Sequence, residues 1–177
     1  QLVSALQTVV SRSTSPNDSV VFSITKIHAG DAYNVIPDSA RLSGTVRTFS
    51  MDKMRQIETQ VQDLAQSTAA AFGASATLEF KVPFHPVVND EATTAFAGDI
   101  CASIAGEGNV FRAGAPGTGS EDFSFMAEQV PACYVIIGNG EDSNALHNPG
   151  YDFNDAALVY GGSFFARVTE QELLAAQ

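Results

Sequence analysis

The sequence predicts an α/β (α+β) chain in two parts: a ferredoxin-like domain lacking its first strand, then a partial α/β segment of a larger domain. Three observations carry this. The first half reads helix, strand, strand, helix, strand, which is a split β-α-β order short of one strand at its start. The second half alternates helices with short apolar runs, as parallel α/β layers do. Only two or three strand candidates occur there, too few for a sheet of their own, so that half is expected to complete a larger one.

The elements follow in order. "QLVSALQTVVSR" places Leu2, Leu6, Val9 and Val10 on one helical face. No capping residue or initiator Met precedes it and no signal peptide is present, so the chain is expected to be cut from something longer. "SVVFSITKI" (19–27) and "ARLSGTVRTF" (40–49) are strands. In the second, Leu42, Gly44 and Val46 alternate with Arg41, Ser43, Thr45 and Arg47. The connection "HAGDAYNVIPDS" is expected to turn at Pro37-Asp38. A helix over about 52–72 carries Met54, Ile57, Val61, Leu64 and Phe72, with Ser50 as N-cap and Gly73 as its stop. "ATLEFKV" (76–82) is the third strand, burying Leu78, Phe80 and Val82.

"PFHPVVND" makes a proline-containing break, so the domains are placed at 1–85 and 86–177. Beyond it come a helix over 91–105 capped at Asn89-Asp90, a short strand "NVFRAG" (109–114), and a helix from Ser120 to about Gln129. "ACYVIIG" (132–138) reads as a buried central strand. A last helix, capped by Asn154, runs to about Leu174.

The net charge of −11 is uneven: residues 1–89 hold seven Lys/Arg and seven Asp/Glu, residues 90–177 two and thirteen. An acidic second half argues against nucleic acid and anionic membrane as partners. No apolar run reaches the ~18 residues of a membrane span. Cys101 and Cys133 each sit in an apolar run far from other ligand types, which suits buried free thiols of a cytoplasmic protein.

Several motifs have a bland reading beside a functional one. "GAPGTGSEDF" (114–123) lacks the lysine of a phosphate loop and the spacing of a dinucleotide fingerprint or nucleophile elbow. It suits a backbone nest for an oxyanion or carboxylate, or a plain loop capped by Ser120. Arg47 and Asn34 could be brought by a hairpin to one carboxylate-binding site, or be a solvated arginine and a turn asparagine. His28 and His85 read as surface or hinge residues. His147, in the loop "NALHNPGYDFND", suits a metal ligand or an ordinary loop histidine.

In combination, "AGDAYNVIPDSARLSGTVRTF", "GTGSEDFSFM" and "LHNPGYDFNDAAL" resemble, in that order, the aminoacylase/carboxypeptidase family of metal-dependent hydrolases. The hippurate hydrolase-like N-acyl-amino-acid amidohydrolases are the nearest branch. The resemblance implies a lid domain over residues 1–85, often a site of homodimerisation, and the C-terminal part of a zinc-peptidase-like catalytic domain over 86–177. It implies two divalent metal ions, zinc or manganese, in the intact enzyme, with His147 matching the last metal ligand. Asn34 and Arg47 match lid positions that grip the substrate carboxylate, in some members across the dimer. Gly119 and Ser120 match the loop lining the substrate pocket.

No catalytic residue is carried over. A Cys-Gly-His-Asp motif, a Glu-Glu pair holding the general base, a further histidine ligand and a lid histidine have no counterpart, and their positions would lie before Gln1. The implied reaction is hydrolysis of the amide of an N-acyl amino acid or small peptide, with the isolated 177 residues inactive and holding no metal. Two rivals differ in class: a non-enzymatic ferredoxin-like dimerisation or ligand-binding module, and a serine hydrolase using Ser120 and His147.

Overall fold

The computed structural model describes residues 1–175 and divides into two units. Gln1–Pro86 and Thr118–Glu121 form the first, and Val87–Gly117 with the chain from Asp122 onward form the second.

The first unit opens with helices α1 (Leu2–Leu6) and α2 (Thr8–Ser11), the predicted opening helix interrupted at Gln7. Strands β1 (Val20–His28) and β2 (Arg41–Thr48) pair antiparallel, and helix α3 (Met51–Ala71) follows. The helical spacing delivers Leu6, Val9, Ile57 and Val61 to one buried cluster. Val20, Phe22, Ile24 and Val46 meet it from the sheet, so the alternating strand pattern and the helical stripes converge on a single core.

The ends of α3 explain its length. Ser50 is extended, and its Oγ accepts from the Lys53 N–H at 3.4 Å. Gly73 takes φ +70, with the Gly73 and Ala74 N–H groups donating to the Ala70 and Ala69 carbonyls at 3.0 Å. That double bond pattern is a Schellman stop, which favours a glycine. Phe72, expected in the core, is exposed, because as C-cap it lies past the last helical residue and leaves the buried stripe.

A bulge interrupts β1: Ile24 faces Gly44, Lys26 faces Ser43, and Thr25 is the extra residue. It resets parity so that Ile27 shares the face of Leu42. A Cβ on Gly44 would run into the Ser23 carbonyl, so the strands approach closely beside the bulge. The loop after β1 turns at Tyr33-Asn34 and not at Pro37-Asp38. Pro37 instead packs against Gly30, whose φ of +72 starts the reversal.

Residues 76–82 form no strand. Leu78, Phe80 and Val82 are half-buried and the intervening residues exposed, so the alternation is real, and Leu78 touches the core. Burial follows from side-chain pattern alone, whereas a ladder also needs a neighbour with free backbone groups.

In the second unit, helix α4 (Glu91–Ala105) packs against helix α6 (Ala157–Ala175). Asp90 caps α4, its Oδ1 accepting from the Thr93 N–H and hydroxyl, both at 2.8 Å. Those bonds hold the Asp90 carboxyl below its ordinary value. A depressed carboxylate stabilises fully above the unfolded value of about 3.9 and loses that contribution as pH falls through its folded value. Asp90→Asn keeps an acceptor without the charge. Its Tm should therefore lie below the parent's near pH 6, with the gap closing as pH falls from about 3.9 through the depressed folded value. A calorimetric difference that does not change with pH would contradict this.

Neither predicted strand of this unit forms. Residues 107–109 make a 3-10 turn, and Arg112 returns to bind Glu107 through two nitrogens (2.9 and 3.1 Å) and Asp99 at 2.9 Å. This clamp ties the segment back to α4 where a ladder was expected, and leaves Phe111 exposed. Residues 132–138 are anchored by Asn89, whose amide donates to the Tyr134 carbonyl (3.1 Å) and accepts from its N–H (2.9 Å). Phe123 packs on Tyr134 in a tilted pair with ring centroids 5.3 Å apart. The expected burial is absent, since Ile136 is 83% exposed. No helix among the described residues is long and apolar enough to cross a membrane.

Candidate functional site

In the first unit Arg47 projects from the polar face of β2 and is exposed. Its Nη1 donates to the Thr118 carbonyl at 2.5 Å, which pins the residues carrying Gly119 and Ser120 beside the strand. Both are exposed, and a Cβ added at Gly119 would meet nothing. A guanidinium carries five donors, so the contact with Thr118 leaves the remainder of its fork for a carboxylate. Arg47 and the 118–120 stretch therefore form one polar locus.

Asn34 does not join them through the hairpin. Arg47 pairs with Val21, six residues along β2 from Arg41, where the connecting loop ends. At about 3.3 Å per residue this is some 20 Å of strand, so the register sends Asn34 to the opposite end of the hairpin. Strand pairing by itself therefore does not bring Asn34 to Arg47.

The glycine-rich segment does not lead into a helix capped by Ser120. Helix α5 spans only Phe123–Ala127, is preceded by Asp122 and has no side-chain cap bond. Past Ala127 the Gln129 and Val130 N–H groups both donate to the Met126 carbonyl, a tightened last turn ahead of Pro131. A helix of five residues adds little dipole to an anion held by the loop.

In the second unit His147 lies in an exposed loop with φ +67, and it is the one non-glycine residue at positive φ among those described. The Asn148 N–H donates to the Ala145 carbonyl at 3.1 Å, which makes His147 the third residue of a tight turn, where glycine or asparagine is the usual choice. A bulky side chain held there is a sign of functional constraint. The loop is laced by asparagine side chains. Asn139 donates to Ser143 Oγ (2.6 Å) and the Asp152 carbonyl (2.7 Å), and accepts from the Asn154 N–H (2.8 Å). Asn144 donates to the Gly150 carbonyl (2.8 Å), and Asn148 Oδ1 accepts from the Gly150 N–H (2.8 Å). Asn154 Oδ1 also accepts from Ala156 N–H at 3.1 Å, fixing the turn into α6. In the sequence Asn154 reads as a helix cap and the other asparagines as turn-formers, and none of them as a site residue.

The other imidazoles lie elsewhere. His28 ends β1, 3.7 Å from Asp31, and His85 is half-buried in the segment leading to Pro86. Cys101 and Cys133 are free and half-buried, less sheltered than expected. Burial pushes the Cys101 thiol up, and the neighbouring Cys133 adds to it, so Cys101 is a poor nucleophile. Among the described residues no three His, Cys, Asp or Glu side chains gather as a metal cage. As donor chemistry an imidazole such as that of His147 can take one position of a metal site, and the described residues place no three such donors together.

The model of peptidase family M20/M25/M40 matches residues 3–171. An N-acetylcysteine deacetylase of Bacillus subtilis (strain 168) is 36% identical over 170 residues, covering 95% of this chain and 43% of its own length. The hippurate hydrolase of Campylobacter jejuni is 31% identical over 167 residues, covering 94% and 43%. The crystal structure of the YXEP protein of Bacillus subtilis, a dinuclear metal binding peptidase from the M20 family, superposes with a TM-score of 0.70. It is 32% identical, over 94% of this chain and 42% of that one. The chain spans about two fifths of the length of the curated relatives it matches.

Proposed function

Because the chain belongs to peptidase family M20/M25/M40, we propose that it forms part of a dinuclear metal-dependent amidohydrolase cleaving N-acyl amino acids. Residues 1–85 are then the lid and 86–177 the C-terminal part of the catalytic domain. The observation that carries this reading is the family match across residues 3–171, joined by a histidine held at positive φ in the loop that the motif resemblance makes a metal ligand. The names of the relatives, an N-acetylcysteine deacetylase and a hippurate hydrolase, favour acylated amino acids as the substrate class.

When bound, two divalent cations, zinc or manganese, supply Lewis acidity and make water a nucleophile at neutral pH. His147 contributes one imidazole donor to them. Arg47 pairs with the substrate carboxylate and so orients the amide, with Gly119 and Ser120 lining the same pocket. Asn34, at the far end of the hairpin, adds its amide from the partner protomer of a lid-mediated homodimer. The remaining ligands and the general base come from a longer protein, and the 177 residues alone are inactive and hold no tightly bound metal.

Arg47→Ala in the full-length protein tests the substrate part. Losing a charge-assisted bond worth about 1.5–3 kcal/mol lowers kcat/KM by roughly 10- to 150-fold, chiefly through KM, with metal content unchanged. Arg47→Lys recovers only part of it, because an ammonium cannot replace the planar fork. Unchanged kcat/KM for an N-acetyl amino acid in Arg47→Ala would rule the assignment out.

A further inference from the structure

The loop that presents His147 is closed at two levels by asparagine side chains, and this closure is more than turn chemistry. At its base Asn139 uses its whole amide: two donated bonds to Ser143 Oγ and the Asp152 carbonyl, one accepted from the Asn154 N–H. Asn154 answers with a bond from Nδ2 to the Asn139 carbonyl at 3.3 Å, so two residues fifteen apart grip each other through both side chains. At its apex Asn144 reaches the Gly150 carbonyl, three residues before and three after His147. His147 thus stands at the centre of a pinched seven-residue loop, in a left-handed conformation that a free loop would give up.

We infer that Asn139 and Asn144 are positioning residues for the metal site: their side chains hold the His147 loop in the backbone geometry from which its imidazole would serve a metal ion. This rests on the reading of His147 as a ligand. The physical reason is pre-organisation. A left-handed histidine costs free energy that the lacing offsets, and without the lacing the loop must be ordered by the ion itself, at the expense of affinity. Neither asparagine donates to the imidazole, so the effect runs through the backbone.

The test uses the full-length protein, stripped of metal and titrated with Co2+, comparing the parent with Asn139→Ala, Asn144→Ala and His147→Ala. Asn139→Ala and Asn144→Ala should weaken the affected ion about 10-fold or more, the scale on which groups supporting a ligand act. They should also shift the visible bands of the cobalt protein, while unfolding of the metal-free protein stays cooperative. Asn144→Ala keeps the test valid if loss of Asn139 disturbs folding, since it removes a single bond on an exposed loop. Cobalt affinity and spectrum equal to the parent's in both variants would overturn the inference, provided His147→Ala loses an ion. Both ions retained in His147→Ala would overturn the ligand reading, and the inference with it.

Discussion

Replacing His147 by glycine in the full-length protein should lower kcat/KM for an N-acyl amino acid by about a thousandfold, the equivalent of several kcal/mol of lost charge stabilisation. Elemental analysis should find one metal ion fewer per chain. Glycine is the informative replacement because of the backbone. At φ +67 any residue with a Cβ carries a penalty of about 1–2 kcal/mol, which glycine avoids. The metal-free variant should therefore unfold no earlier than the parent, and slightly later if the asparagine lacing holds the loop. Activity and stability then move in opposite directions, the mark of a residue kept for its chemistry at the expense of fit. A variant that loses stability and activity together, with full metal content, would make His147 an ordinary loop residue.

The largest stability effect is expected at Ile57. Its side chain has no exposed surface, and it sits where α3 meets Leu6 and Val9. Ile57→Ala should cost about 2–5 kcal/mol and Ile57→Val about 0.5–1.5, the grading expected when a close-packed site is emptied by steps. The cluster holds only four buried side chains, so little surrounding core can collapse into the space. Urea unfolding followed by circular dichroism measures both differences in the same protein. Equal midpoints for Ile57→Ala and the parent would show that the first unit is not held together by this cluster.

The helices α3 and α4 were legible because their signals are local. Asp90 and Gly106 bracket α4 at the bounds predicted from caps and periodicity, and Ser50 and Gly73 do the same for α3 within a residue. The strands β1 and β2 were legible because each supplies the other's partner a short loop away. Residues 76–82, 109–114 and 132–138 carry strand composition without strand structure. Apolar content predicts burial, but hydrogen-bonded pairing depends on what lies beside a segment, and its own residues cannot encode that.

The site divides the same way. His147, Arg47, Asn34, Gly119 and Ser120 were reached through ordered motifs, since no spacing within the chain singles them out. The contact of Arg47 with Thr118 spans seventy-one positions, and the Asn139 and Asn154 grip spans fifteen, so neither leaves a periodic trace. Turn-forming composition announced the loop around His147. Its lacing becomes visible only in three dimensions.

The run at 132–138 has a consequence for handling the protein. Six of its seven residues are apolar or cysteine, none is charged, and Ile136 stands open to solvent. Such a segment is a template for cross-β stacking when nothing covers it. Preparations of the 177 residues alone should therefore coalesce as concentration rises despite a net charge of −11, because thirteen of the twenty acids lie in the second half but none within the run. A lysine in place of Ile136 would act as a gatekeeper, keeping the chain dispersed while touching none of the residues assigned to chemistry.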